Sequence, residues 1–380
     1  MTQRYRIPCL VLALALQGAA ALADVTTQVV AKGLEHPWAL AFLPDGSFLV
    51  TERPGRMRIV QRDGRIGVPL QGVPEVASAG QGGLLDLALD ARFAENRRLY
   101  FCYAQAGSDG NTNSTALATA TLSQDANRLV DVKTIFVQQP KVKSTLHFGC
   151  RIALASPPPP AQKPLLYLTL GERFHHRDNA QKLDNHHGKV IRIATDGSVP
   201  PDNPFVSTPG ALPEIWSFGH RNPQGAAMAP DGTLWIHEHG PMGGDEINLP
   251  QPGSNFGWPL VSFGRNYNFT SVGDGKPQRE GTEQPLHQWT PSIAPSGMAF
   301  VTSKRYGEDW VGNLLVGSLK FTHLARLHLA APFQGAVVKE SRLLNDLGER
   351  VRDVRQGPDG YIYLLTDHPQ GRLLRLVPSP

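Results

Sequence analysis

Between Gly225 and Gly240 the chain reads GAAMAPDGTLWIHEHG. An apolar run breaks at Pro230-Asp231-Gly232 and a second apolar run follows. Pro presets the first turn dihedral, Asp caps the turn and Gly supplies the positive φ, so the stretch predicts two strands joined by a tight turn. ALAFLPDGSFLVTER from Ala39 and VRDVRQGPDGYIYLLTD from Val351 keep the same turn, and looser copies begin at Asp86, Arg151 and Gly297. The six starts are separated by 47, 65, 74, 72 and 54 residues. One hairpin cannot bury both of its faces. Stacked radially as blades, such sheets cover one another and leave only short edges. The expected fold is therefore all-β: a six-bladed β-propeller of four-stranded blades, with the outer strands in the less regular segments. A β-sandwich or a pair of β domains competes, and six copies with long insertions argue against both.

The outer parts of the chain agree with one exported domain. Arg4 and Arg6 precede an apolar run from Ile7 to Leu16, and Ala21-Leu22-Ala23 is a small-residue cleavage site before Asp24. Residues 1–23 are thus expected to be a signal peptide, cleaved after Ala23, and 24–380 a periplasmic or secreted propeller domain. The apolar run is shorter than the roughly 20 residues a spanning helix needs, so no membrane span is expected. The formal net charge of +4 falls to +2 once Arg4 and Arg6 are removed. No basic run or basic-aromatic array marks a nucleic-acid partner. Cys102 and Cys150 remain after the signal. An oxidising compartment permits their pairing, while two separate buried thiols fit the spacing equally. Pro157 to Pro160 reads as a surface loop. The stretches near 174–188 and 264–288 are insertions long enough to wall a site.

The densest polar cluster runs from Gly219 to Pro259: GHRNPQG, then HEHGPMGGDEIN, then NFGWP. Arg221 is a permanent cation with a planar donor fork. Backbone carbonyls at Gly240 and Pro241, with the carboxylates of Asp245 and Glu246, are hard oxygen donors suited to calcium. His237 and His239, with Glu238 between them, invite a zinc reading, but H-x-H is a weak motif with no third ligand marked, and a structural or channel-lining role is preferred. His147 stands just before a blade strand in LHFGCR, open to a general-base or a structural role. His175, His176, His186 and His187 lie in a polar insertion and are expected to be exposed. Gln81, Lys320, Arg350 and Arg352 stand where blade strands begin or end. The recurrence of cations there suggests a shared anionic ligand. Carboxylates on the propeller axis are expected to be few.

With these residues in view, the chain resembles the soluble aldose sugar dehydrogenases that depend on pyrroloquinoline quinone (PQQ), relatives of soluble glucose dehydrogenase. HPWALAFLPDG, GQGGLLDLAL, HFGCR, QKLDNHHGKVIRI, GHRNPQG, EHGPMGGDEINLP, NFGWP, SIAPSGMAF and RDVRQGPDGYIYLLTD follow the family's order over nearly all of the mature chain. The resemblance implies oxidation of an aldose at C1 to a lactone, with PQQ and Ca²⁺ as cofactors and an external electron acceptor. It implies that His147 is the general base and that Arg221 stabilises charge on the quinone. It places Gln81, Asn222, Ser292, Lys320, Arg350 and Arg352 in the cofactor pocket. The carbonyls of Gly240 and Pro241 would hold the cofactor's calcium, and Glu246 with the Phe256 carbonyl a further calcium. A monomer or weak homodimer is expected. The glucose dehydrogenase relatives carry an acid immediately before the base. Here it is Leu146, so the local sequence does not say what orients His147. Two other functions compete: a calcium-dependent propeller lactonase, which needs free axial carboxylates, and a non-catalytic sugar-binding propeller, which needs neither base nor cations.

Overall fold

A computed structural model describes residues 25–155 and 163–379. The signal-peptide reading (1–23) and the Pro157–Pro160 loop lie outside the described residues. Six four-stranded antiparallel sheets form the blades of the expected propeller. The innermost strands are Pro37–Phe42, Leu84–Leu89, Gly149–Ala155, Pro223–Met228, Pro295–Phe300 and Val351–Gln356. Each begins within two residues of a repeat start read from the sequence. The Pro-Asp-Gly turns carry the hairpins as their chemistry dictates, with φ of 82°, 87° and 79° at Gly46, Gly232 and Gly360.

Each inner strand packs between its two neighbours around the axis, so both of its faces are buried. This explains the small residues in these strands. A Cβ at Gly297 would collide with the backbone of Asp353 and Val354 in the next blade. The ring closes with a strand the repeats do not announce. Val25–Leu34 becomes the outermost strand of the sixth blade and pairs antiparallel with Gly371–Pro378, Val29 opposite Leu374.

All six inner strands break register with their partner near their first residues, between Pro37/Ala39, Leu84/Leu87, Gly149/Ile152, Pro223/Gly225, Pro295/Met298 and Val351/Asp353. A bulge twists a strand and re-aims its side chains. Six of them at one end of the propeller turn that end into a ring of loops around a depression.

The axis itself is closed by charge. Asp86 and Asp353 both lie there, fully buried. Arg151 reaches Asp86 at 3.2 Å and Asp353 at 2.8 Å, and Arg355 reaches them at 2.6 and 3.0 Å. The backbone N–H groups of Ile152 and Leu40 donate to the same two carboxylates. Every acid at this level is thus committed to protein partners. The axial plug also brings neighbouring blades together, as does a disulfide between Cys102 in the second blade and Cys150 in the third (Cα–Cα 5.8 Å). The reading of two separate thiols fails because the chain folds back over a sequence separation of 48 to put adjacent blades in contact.

Candidate active site

The bulged ends of the inner strands and the ends of the second strands meet on one face. Two adjoining cavities open there, of about 590 and 450 Å³, and share Gln81, His239 and Ala294. The larger is lined by His147, Arg221, Gly240, Pro241, Ser292 and Lys320. The smaller is lined by Asn222, Arg350 and Arg352, with Trp38 and Asp367. Glu246 and Phe256 stand behind the larger cavity. They line a gap of about 20 Å³ that shares Arg221, His239 and Gly240 with it. Residues drawn from all six blades therefore converge on one place.

His147 sits at φ 51°, a left-handed turn that projects its ring from the loop. The Gln81 Oε1 accepts from its backbone N–H at 2.9 Å. Its Nδ1–H donates to Glu172 Oε1 at 3.0 Å, and the Phe174 ring packs edge-on at 5.2 Å. Glu172 also accepts from the Phe174 N–H. A carboxylate only accepts, so Glu172 fixes the tautomer and leaves Nε2 with a free lone pair. Burial, aided by the Arg221 charge, lowers the His147 pKa to about 4 against the pull of Glu172. The imidazole is consequently neutral over the whole physiological range. Glu172 answers the question Leu146 raised.

Arg221 Nη1 donates to the His239 carbonyl at 3.1 Å, its guanidinium lies 5.2 Å from the Trp258 ring, and its buried Nε has no partner among the described residues. Its backbone N–H donates to Glu238 Oε2 at 2.6 Å. Lys320 is exposed at the rim. Arg352 pairs with Asp367 at 2.9 Å and leaves its buried Nε unpartnered among the described residues, while the half-exposed Arg350 lies 3.5 Å from the same carboxylate. Burial favours the neutral form of Asp367. Arg352, His36 and Arg350 outweigh it and hold the carboxyl well below the usual range. Ser292 Oγ accepts from the Gly243 N–H at 3.0 Å, and Asn222 Oδ1 from the Gly149 N–H at 3.2 Å.

Glu238 is buried, Glu246 is half-buried, and they share the Asn248 amide, at 3.1 and 3.2 Å. Burial and then repulsion from Glu238 push the Glu246 carboxyl up to about 8. Two carboxylates facing one small gap form a site short of a positive charge. His237 and His239 do not converge. His237 is buried against Gly225, and His239 turns Nε2 to the Pro295 carbonyl at 2.7 Å. Among the described residues no group of three or more His, Cys, Asp or Glu side chains is placed to hold a metal.

The polar insertion departs from expectation. His175 is exposed and His176 half-buried, but His186 and His187 are buried. His186 Nδ1 accepts from the Gln139 N–H and its Nε2 meets Glu214, both at 2.9 Å. His187 lies 3.0 Å from the Pro140 carbonyl. Polarity signals exposure only when water is the partner, and here the protein supplies the partners. Sequence reading also missed Glu172 and Asp367, and named Glu238 only as a zinc candidate, whereas it accepts from the Arg221 N–H and meets His220. A signal existed in the repeats: second strands end LVTE, LTLGE, WIHE and LLTD at Glu52, Glu172, Glu238 and Asp367.

The chain is similar to proteins of known family. Residues 34–375 match the family model described as glucose / sorbosone dehydrogenase. The chain is 43% identical to the aldose sugar dehydrogenase YliI of Escherichia coli over 377 residues, which covers 98% of each chain. A crystal structure of a glucose dehydrogenase superimposes with a TM-score of 0.87 at 46% identity, over 93% of this chain and 100% of the other. The PQQ-bound form of an aldose sugar dehydrogenase from Streptomyces coelicolor has a TM-score of 0.75 at 29% identity, over 93% and 98% of the two chains. The fold, the converging residues and these likenesses place the chain in the glucose / sorbosone dehydrogenase family, as an oxidoreductase.

Proposed function

We propose that this protein oxidises aldoses at C1 to lactones in the cavity between His147 and Arg221, using PQQ and calcium. The observation that carries the reading is the convergence of a neutral, carboxylate-oriented imidazole with four cations, Arg221, Lys320, Arg350 and Arg352, on adjoining cavities.

The residues present fit both cofactors. PQQ is a planar tricarboxylate. Lys320, Arg350 and Arg352 supply charge-assisted donors for its carboxylates, and the unpartnered Nε atoms of Arg221 and Arg352 mark unused donor capacity. The carbonyls of Gly240 and Pro241 accept no hydrogen bond among the described residues, so they are free to hold a hard cation. Glu246, Glu238 and the Phe256 carbonyl suit a second calcium in the gap they line. When bound, the calcium-loaded quinone supplies the two-electron acceptor for the hydride that leaves C1.

The chain's own residues do the rest. His147 Nε2 takes the proton of the C1 hydroxyl as the hydride departs. Glu172 holds the ring and stabilises the imidazolium that forms. Arg221 is held against Trp258 and the His239 carbonyl, so its charge is placed before reaction begins. Electrons then pass to an external acceptor. A cleaved export signal at residues 1–23 would put this reaction in the periplasm or outside the cell.

The test is reconstitution. The apo-protein should bind PQQ with Ca²⁺, show quinone absorbance in the bound fraction and reduce a dye with an aldose. His147→Ala should bind PQQ and lose most turnover, and Lys320→Ala should weaken PQQ binding more than turnover. Absence of both quinone binding and dye reduction overturns the reading. A lactonase needs carboxylates free to hold its metal at the axis, and the axial pair Asp86 and Asp353 is committed to Arg151 and Arg355.

A further inference from the structure

Lys189, in the HHGKVIRI motif, plays no part in the reaction just described, yet its side chain is fully buried. Its Nζ donates to three backbone carbonyls, those of Asn179 (3.0 Å), Ala180 (3.1 Å) and His187 (2.7 Å). No acid forms an ion pair with it among the described residues. A buried ammonium held only by converging carbonyl oxygens occupies the place a bound cation takes in other loops. Burial lowers its pKa to about 7. An uncharged amine would aim its lone pair at a carbonyl oxygen, so the cage fits the ammonium.

The cage lies between the two catalytic candidates. The Lys189 backbone pairs with Leu170 on one side and with Phe218 on the other. Leu170 is two residues before Glu172, and Phe218 is three before Arg221. The Ala180 carbonyl that receives Nζ also accepts from the Gly219 N–H at 3.0 Å, and the Gly188 carbonyl accepts from the His220 N–H at 3.1 Å. Gln181 then ties the same turn to Asn255 (2.8–2.9 Å) and to the Trp258 carbonyl (2.8 Å), beneath the Arg221 guanidinium. Between Glu172 and Gly188 the chain contains one short 3₁₀ helix, Arg177–Gln181, and no strand. Its geometry therefore depends on such pins.

We propose that Lys189 is a built-in cation that positions the active site, gathering the 172–188 insertion onto the segment carrying Arg221 so that Glu172, His147 and Arg221 keep their mutual placement. It touches no reacting atom and is a positioning residue. The proposal rests on the sugar dehydrogenase reading for its kinetic consequence, not for its structural one.

The test uses the full chain and a graded pair of variants. Lys189→Met keeps the unbranched stem and removes every donor; Lys189→Gln keeps an amide that can serve two carbonyls. In the apo-proteins, hydrogen–deuterium exchange should accelerate in 172–188 and 219–222, more in Met than in Gln, and stay as in the parent in the remaining blades. After reconstitution, PQQ affinity should stay within about threefold. The kcat for an aldose should fall by about 10²-fold in Lys189→Met, the scale of a roughly 1 Å misplacement. Methylammonium added to Lys189→Ala should restore part of the lost rate. If Lys189→Met does not fold, Lys189→Gln carries the same comparison. Unchanged exchange in 172–188 overturns the proposal, as does a loss of PQQ affinity equal to the loss of turnover. A parent that never oxidises an aldose sinks the sugar dehydrogenase reading instead, and the exchange data still judge Lys189.

Discussion

Replacing Glu172 with Gln tests the centre of the proposed chemistry with little change of shape. The amide oxygen can still accept from the Phe174 N–H, while the charge beside His147 is lost. Both partners are buried, with side-chain exposures of 6% for His147 and 1% for Glu172. Once His147 has taken the sugar proton, imidazolium and carboxylate are opposite charges about 4 Å apart. At an effective dielectric of about 20 their attraction is worth about 4 kcal/mol. The fixed charge of Arg221 repels the imidazolium, so the pair's contribution is needed, and most of it is absent before proton transfer. Each 1.36 kcal/mol is tenfold in rate, which gives an expected fall in kcat of about 10²- to 10³-fold. PQQ affinity should be unaffected, because Glu172 lines neither cofactor cavity. The pH profile separates this from general damage. The parent needs neutral His147 and should lose activity only near its pKa of about 4. Removing the carboxylate lowers that pKa further, so the acid limb of Glu172→Gln should move down while the plateau drops. Steady-state kinetics with an aldose and dye, followed from well below that pKa up to neutral pH, check both. A variant within about threefold of the parent, or an acid limb that moves up, refutes Glu172 as the orienting and stabilising group.

Three further outcomes follow from the fold. Cys102→Ala/Cys150→Ala should lose about 4 kcal/mol of stability, the chain-entropy value for a closed loop of 48 residues, read as a shift in denaturation midpoint against the oxidised parent. Arg151→Met leaves two axial carboxylates with Arg355 alone and should cost about 3–5 kcal/mol; a midpoint equal to the parent's would show the plug is dispensable. Stability should also fall in acid. His147 and His187 both have folded pKa values near 4, mainly through burial, against about 6.5 unfolded. Protons therefore bind the unfolded chain first, and stability is lost as pH drops from about 6.5 towards 4, by up to about 1.4 kcal/mol per pH unit for each group. A urea midpoint that is flat across that window contradicts their neutral burial, and His187→Gln should flatten the slope.

What the sequence made legible was local. The Pro-Asp-Gly turns specify their hairpins within a few residues, so repeat counting found six blades and placed the inner strands within two residues. The motifs near Gln81, His147, Arg221 and Arg350 lie at strand ends for the same reason, and a ring of blades necessarily gathers such ends on one face. What remained hidden was paired through space. Glu172 is 25 residues from His147, and nothing in LHFGCR names it. Asp86 and Asp353 are separated by nearly the length of the domain and meet only because blades two and six both reach the axis. Cys102 and Cys150 lie on strands of neighbouring blades, a relation invisible without the ring. His186 and His187 read as solvent-facing because polarity reports a need for partners without saying who provides them.

The propeller also explains why charge of both signs can coexist at the mouth. The second strand of every blade ends at about the same height, opposite the bulged start of the inner strand. Blades one, three, four and six place an acid within two residues of that level: Glu52, Glu172, Glu238 and Asp367. Blade five places Lys320 there instead. Each acid is turned to a protein partner: Glu52 to Arg56, Glu172 to His147, Glu238 to His220 and Asp367 to Arg352. Lys320 alone in this set has no ion pair among the described residues. One backbone position, repeated around the ring, thus supplies an orienting carboxylate where an imidazole needs holding and a free cation where an anionic ligand enters. The site's chemistry depends on which blade departs from the repeat, and the departure at blade five faces the larger cavity.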